Sequence, residues 1–281
     1  MWNERARLVS IRNLSERYGA RGYKVYSGIP LVREVYRVFK PERVAIAFSG
    51  GADSLATVLM VLEGLPDSVE KHVIFNNTTN EFPENIRYVR EMFDFFEENF
   101  ENVKCVEVKP RKHFADYVRR VYYVSAKMKI NGGWKKQKLR CCFNLKEKPS
   151  EEYYKENNIK IVFTGLRAGE SIFRYRFTVF ALTRGFAGVY IGKNKINAMP
   201  VWNWSREQVH KYLEKHPLKP KVNPLYEKGF RQIGCMLCPV KFFFDKELPP
   251  LREHYPHVYK VGLRLKREAI GKIFLEESVK L

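Results

Sequence analysis

No stretch of this 281-residue chain approaches the roughly 20 consecutive apolar residues of a membrane-spanning helix. The first residues, Met1-Trp2-Asn3-Glu4-Arg5, lack the apolar core of a secretory signal, so the expected location is cytoplasmic. Glutamine is scarce, three residues beside abundant Lys, Glu and Arg, a balance compatible with a high-temperature source. Cysteine is limited to five residues, which in a chain this long is no secreted disulfide framework. Acidic residues are outnumbered, 31 Asp+Glu against 51 Lys+Arg, leaving a formal charge of +20. That excess points to a polyanionic partner such as RNA or DNA, because neutralised phosphates release counterions. It recurs in Arg111-Lys112, Arg119-Arg120, Lys135-Lys136-Gln137-Lys138 and Arg264 to Arg267.

What is present alternates. Apolar runs Val44 to Phe48, His72 to Phe75, Val103 to Val108 and Ile159 to Thr164 read as strands. Helical patterns lie between them at Leu55 to Glu63, Pro83 to Phe96 and Phe114 to Met128, with further helices from Glu151 and from Ser205, the latter carrying a Ser-x-x-Gln capping box. A last strand is expected over Ile196 to Trp202, with Trp202 and Trp204 in core or cap packing. The expected fold is α/β: a Rossmann-like parallel sheet with helices on both faces. Residues 1–40 read as a helical N-terminal extension, 41–245 as the main domain and 246–281 as a helical basic C-terminal tail.

Ligands of such sheets gather at the carboxyl ends of the strands. After the first strand comes Phe48-Ser49-Gly50-Gly51-Ala52-Asp53-Ser54, a glycine turn that opens a helix. Two glycines let the backbone approach an anion, and the helix start favours negative charge. No Gly-Lys-Ser/Thr follows, which excludes the P-loop of kinases and GTPases. Ser49, Gly50, Gly51, Asp53 and Ser54 are therefore candidate phosphate ligands, with a plain tight turn as the alternative. After the second strand, Asn76-Asn77-Thr78-Thr79-Asn80-Glu81-Phe82-Pro83-Glu84 offers amides and hydroxyls from Asn77, Thr78 and Glu81. After the fourth, Thr164-Gly165-Leu166-Arg167-Ala168-Gly169-Glu170-Ser171 and Arg174 join a glycine turn to planar cations suited to oxyanions.

Four of the five cysteines fall in two pairs, Cys141-Cys142 and Cys235-x-x-Cys238, each expected in a loop. Four thiols suit a tetrahedral zinc or a cubane iron–sulfur cluster. The vicinal pair favours iron–sulfur, since structural zinc usually spaces its paired ligands by two residues. A disulfide between the pairs and buried inert thiols remain open. Cys105, in an apolar strand pattern, reads as a core residue.

The Ser-Gly-Gly-x-Asp-Ser turn resembles that of the PP-loop ATP-pyrophosphatase superfamily, whose members have an adenine nucleotide alpha hydrolase-like fold. Together with Cys-Cys-x-x-x-Lys at 141–146, Thr-Gly-Leu-Arg-x-x-Glu-Ser at 164–171, Asn223-Pro224-Leu225-Tyr226 and Gly-Cys-x-x-Cys-Pro at 234–239, the chain is similar to the PAPS/APS reductase family over about residues 40 to 245. The resemblance implies ATP, or a sulfonucleotide, bound by Ser49, Gly50, Gly51, Asp53, Ser54, Asn77, Thr78, Gly165, Arg167 and Arg174. It further implies that Asp53, Ser54 and Arg167 take part in catalysis, with Mg²⁺ near Asp53, and that Cys141, Cys142, Cys235 and Cys238 hold a [4Fe-4S] cluster.

One departure redirects the expectation. Reductases of this family carry a catalytic cysteine on the C-terminal tail, and this sequence has no cysteine after Cys238. Its phosphate motif is also the full form of ATP-hydrolysing members. The expected activity is accordingly ATP-dependent adenylation followed by sulfur insertion into nucleic acid, of the tRNA thiolation or DNA phosphorothioation type, with a sulfur or electron donor protein as a further partner. A PAPS/APS reductase using an external thiol and a zinc-stabilised nucleic-acid-binding protein without catalysis are the alternatives.

Overall fold

The computed structural model describes residues 3–21, 25–130, 140–183, 188–245 and 247–278. The basic run Lys135-Lys136-Gln137-Lys138 lies outside them. The chain forms two compact units, Met1–Phe75 with Val89–Val106 and Tyr154–Asn223, and Asn76–Tyr88 with Glu107–Tyr153 and Pro224–Leu281.

The first unit is built on a six-stranded sheet in the order β3-β2-β1-β4-β6-β5. Its strands are β1 (Arg43–Ala47), β2 (Glu70–Asn76), β3 (Val103–Val108), β4 (Ile161–Thr164), β5 (Val189–Ile191) and β6 (Ile196–Ala198). In β1, Val44, Ala45 and Ile46 are all fully buried, so both faces are covered and the run is apolar without alternation. β1 pairs in parallel with β2 (Ala45 opposite His72) and with β4 (Ala45 opposite Val162), and β4 pairs in parallel with β6.

The Rossmann-like parallel sheet expected from the sequence is present, and it carries one antiparallel strand at an edge. β5 runs antiparallel to β6, with Val189 opposite Ala198, because only the turn closed by the Gly192 amide on the Lys195 carbonyl joins them. A parallel pair needs a crossover of a dozen residues or more. The strand expected over Ile196 to Trp202 also stops at Ala198. Pro200 has no amide to give the ladder, and the Trp202 amide turns back to the Met199 carbonyl.

Around this sheet lie α1 (Glu4–Ala20), α2 (Gly28–Phe39), α3 (Ala52–Gly64), α4 (Pro83–Asn99), which starts in the second unit, and, later in the chain, α8 (Ile172–Thr183) and α9 (Arg206–Lys215). α3 is buried all round, from Leu55 to Leu62, as a core helix should be. It packs on α2, where a Cβ on Gly64 would meet Val32 at 2.9 Å. Ser205 caps α9 as the capping box requires, accepting from the Gln208 amide while Gln208 accepts from its own. Trp202 is fully buried and donates to the Tyr26 carbonyl at 2.8 Å.

The second unit is helical. The segment expected as one helix from Phe114 is a 3₁₀ turn, Phe114–Asp116, followed by α5 (Val118–Ile130). A second correction concerns the vicinal cysteines, which are wound into helix rather than looped. α6 (Arg140–Cys142), a π-helical stretch Phe143–Glu147 and α7 (Lys148–Glu156) run on without a break, and the Lys148 amide bonds the Phe143 carbonyl five residues back. Such wide turns are frequent at functional sites. Then come α10 (Pro239–Phe243), α11 (Leu248–His254) and α12 (Pro256–Ser278). Phe82, Tyr122, Phe230, Phe242, Leu265 and Ile273 belong to one core here. Gly262 makes room in it, since a Cβ there would fall 2.0 Å from the Phe242 ring. Among the described residues no helix is long and apolar enough to cross a membrane.

Candidate functional site

In the first unit β1 ends in the glycine turn and α3 starts directly after it. Gly50 takes φ +80°, a region costly for any residue with a Cβ, and its carbonyl accepts from buried Asn223 at 3.1 Å. Ser54 donates to the Gly51 carbonyl at 2.8 Å, so its single proton is spent. Ser49 then supplies the proton in their hydroxyl contact of 3.1 Å, and its own amide also donates to the Ser54 oxygen. The serines thus lock each other and the turn. Gly51 stands at the N-cap of α3 without a side-chain cap, leaving the positive end of the helix facing the turn.

Gly165, at the end of β4, is required by distance rather than by dihedral angle. A Cβ there would lie 2.6 Å from the Asp53 carbonyl oxygen and 2.7 Å from the Ser54 amide. Two residues on, the Arg167 side chain is 5% exposed, with Nε 2.9 Å from Asp53 Oδ2 and Nη1 2.8 Å from Glu4 Oε1. Burial works against its charge, but Asp53 and Glu4 outweigh that and hold its pKa above the ordinary value. Arg174 pairs with Glu170; burial lowers its pKa, with Asp53 opposing and Arg167 reinforcing. His210 on α9 joins the same field. Burial lowers its pKa first, then Arg206 and Arg167, against the pull of Asp53.

Ser49, Gly50, Gly51, Asp53, Ser54, Gly165, Arg167 and Arg174 are therefore brought together in one unit. Glu4 and His210 belong to this constellation and carried no motif. Their signal exists only in three dimensions, since Glu4 meets Arg167 across 163 positions of sequence.

Asn77 and Thr78 sit in the second unit, both buried. Asn77 donates to Glu107 at 2.8 Å, and Thr78 donates to Glu81 at 2.6 Å while lying 3.4 Å from the Cys235 sulfur. Asn80 fixes the Cys235–Cys238 turn, its carbonyl accepting the Met236 amide and its side chain the Leu237 amide. All five cysteines are free thiols. Cys141 is hydrogen-bonded to Cys142, which raises its pKa most, followed by burial and by the charges of Cys142, Cys238 and Cys235. Burial pushes Cys235 up and Cys238 to about 11. Lys146, half-buried, is held in its charged form chiefly by Cys235, with burial opposing and Glu81, Cys142 and Cys238 adding. The four sulfurs of the two pairs thus share one electrostatic neighbourhood. Among the described residues, no three His, Cys, Asp or Glu side chains are already gathered closely enough to hold a metal ion. The donor set nonetheless fits an iron–sulfur cluster in its chemistry: four sulfurs from two pairs, with lysines in reach to balance a negative centre. Cys105 stands apart, its thiol 3.6 Å from the Phe93 carbonyl.

The family model described as the phosphoadenosine phosphosulfate reductase domain matches residues 43–241. The chain belongs to that family. Its phosphoadenosine phosphosulfate reductase domain spans both the glycine turn and the cysteine pairs. An uncharacterised protein of Methanocaldococcus jannaschii is 29% identical over 254 residues, covering 90% of this chain and 47% of its own length. The chain spans about half the length of this relative and of a second one from that organism, of which 50% is covered. Phosphoadenosine 5'-phosphosulfate reductase of Escherichia coli is 25% identical over 194 residues, 69% of each chain. Among solved structures, the Candida auris phosphoadenylyl-sulfate reductase in a phosphate complex superposes with a TM-score of 0.47 at 20% identity, over 73% of this chain and 87% of the other. The U34-tRNA thiolase NcsA of Methanococcus maripaludis, with its [4Fe-4S] cluster, gives 0.45 at 17% identity, over 86% and 78%. At these TM-scores neither likeness bears on function.

Proposed function

We propose that this family member is an ATP-dependent adenylating enzyme that inserts sulfur into nucleic acid, of the tRNA thiolation or DNA phosphorothioation type. The observation that carries the reading is the Ser49 to Ser54 turn, complete in its Ser-Gly-Gly-x-Asp-Ser form and tied through Asp53 to buried Arg167. The turn and the start of α3 bind the β and γ phosphates, while Arg167 and Arg174 face the charge that develops as the α–β bond breaks. Mg²⁺ supplies neutralisation of the phosphates, and Asp53, partly exposed, is the hard oxygen donor the loop offers it.

In the first step an oxygen of the acceptor attacks the α phosphorus, and pyrophosphate leaves with the bridging oxygen. In the second, hydrosulfide attacks the activated centre and AMP leaves with the former acceptor oxygen. Protons exchange with solvent and no electrons are transferred. Cys141, Cys142, Cys235 and Cys238 are the residues that would hold a [4Fe-4S] cluster, which supplies a soft site for sulfide when bound; zinc on the same thiols is the alternative. Support for a nucleic-acid acceptor is the net charge of +20 and the four exposed cations of α5, Arg119, Arg120, Lys127 and Lys129, on a helix whose own sequence holds no acid, although Arg119 pairs with Glu268 at 3.7 Å and Lys127 with Glu276 at 3.8 Å.

The test is anaerobic incubation with ATP, Mg²⁺, sulfide and either bulk tRNA or DNA, followed by nuclease digestion and mass spectrometry. A sulfur-for-oxygen exchange in one of the two nucleic acids, dependent on ATP, supports the reading. Its absence from both, by protein shown to bind ATP, overturns it. A second reading, a PAPS/APS reductase using an external thiol, draws on the likeness to the E. coli reductase over 69% of each chain. Release of sulfite from PAPS or APS with a thioredoxin-like donor distinguishes it.

A further inference from the structure

Lys241 lies on α10, one turn after Cys238, and is only 7% exposed. Among the described residues its ammonium has no hydrogen-bond partner. It rests instead 4.7 Å from the centre of the Phe82 ring and 5.4 Å from that of Phe230. Aromatic faces recover part of the hydration that burial removes, but an isolated buried cation stays unfavourable until an anion compensates it. The groups that favour its charge against burial are, in order, Cys238, Cys235, Glu247 and Glu81. Both carboxylates are already engaged, Glu81 with Thr78 and Asn85 and Glu247 with the Arg231 amide. The sulfurs are what remains.

We infer that Lys241 is the counter-charge of the cysteine centre, a buried cation that compensates the negative charge of a metal–thiolate cluster and sets how readily that cluster accepts an electron. This rests on the proposed iron–sulfur occupancy of Cys141, Cys142, Cys235 and Cys238. Lys241 is a positioning residue in this account, acting on the centre through charge alone. A lysine kept only to fill the core would serve as well if replaced by an apolar side chain of the same length.

The experiment compares the anaerobically loaded full chain with Lys241→Met and Lys241→Arg, titrating each against redox mediators while following absorbance and electron paramagnetic resonance. Removing one unscreened positive charge is expected to make reduction harder by about tenfold in the equilibrium constant, roughly 59 mV for a one-electron couple. Lys241→Arg keeps the charge and stays within about threefold of the parent, well inside that tenfold step. Thermal melting supplies a second readout. Lys241→Met is expected to raise the melting temperature of the metal-free chain and to shrink the gain on loading, because only the loaded state uses the charge. A brown parent whose midpoint and loading gain are both unmoved by Lys241→Met overturns this inference and leaves the cluster reading standing. So does a loaded cluster that no variant allows to be reduced. A parent that takes up no iron overturns the cluster reading and this inference together.

Discussion

Arg167 Nε lies 2.9 Å from Asp53 Oδ2, joining the end of the fourth strand to the first turn of the helix that follows the glycine loop. The guanidinium also holds Glu4 at 2.8 Å, so it keeps one carboxylate if the other is removed. Asp53→Asn is therefore expected to fold, losing about 1–3 kcal/mol of stability, while pyrophosphate formation falls by about a hundredfold or more. Glu4→Gln is expected to lose far less activity because the Asp53 contact survives. Urea denaturation and a pyrophosphate assay on the two variants check the pair of outcomes.

Gly165→Ala tests the close approach of β4 to α3. The added Cβ would meet backbone atoms of Asp53 and Ser54 at 2.6–2.7 Å, and backbone cannot rotate away as a side-chain tip can. The expected loss is about 1–3 kcal/mol, accompanied by weaker ATP binding as the phosphate turn is displaced. Gly271→Ala on α12 is the contrast, since nothing lies within 4 Å of its Cβ position. There the helix gains about 1 kcal/mol. Chemical denaturation of both variants, with ATP binding by calorimetry, reads the difference.

Cys141→Ser and Cys235→Ser are each expected to lose most of the bound iron and the brown colour. Cys105→Ser is expected to keep both, since its thiol neighbours are the Phe93 carbonyl and Glu97 rather than the other cysteines. Iron and acid-labile sulfide counted per chain after anaerobic purification decide it. Equal iron in Cys235→Ser and the parent would remove that residue from the ligand set.

His72 in β2 is 1% exposed, 2.8 Å from Glu70 Oε1, and its pKa is lowered by burial, with Glu70 opposing and Lys104 and Arg43 adding. The unfolded chain takes up a proton near pH 6.5, whereas the folded chain keeps His72 neutral to a lower pH. The unfolded state thus binds more protons in that window. Stability attributable to His72 is complete above about pH 6.5 and declines as the pH falls toward the lowered folded value. Denaturation midpoints of the parent and His72→Gln from pH 8 to 5 should diverge on this slope, with the variant flatter.

Much of the frame was legible because it follows local pattern. The continuous apolar run of Val44 to Ile46, the all-round burial of α3 and the capping box at Ser205 each leave a signature in neighbouring residues. Gly165 and Asn223 were visible as motif members, but their reasons were not. One gives way to the backbone of Asp53, and the other holds the carbonyl of Gly50. The three-residue strand β5 was too short to show a period, and its reversal depended on a turn of a few residues. The helical winding of Cys141-Cys142 was missed because adjacent cysteines say nothing of backbone shape. Glu4 and His210 left no trace at all. A charge pair closed across 163 positions has no local pattern to read.

The most direct measurement is a product count from anaerobically prepared protein offered ATP with Mg²⁺ and sulfide, or PAPS or APS with a thioredoxin-like donor, each with and without tRNA and DNA. Pyrophosphate and AMP are expected from ATP in equal amounts, raised by one of the nucleic acids and lowered by about a hundredfold or more in Asp53→Asn. Sulfite from PAPS or APS with a thioredoxin-like donor, and no pyrophosphate from ATP under any condition, would contradict that expectation.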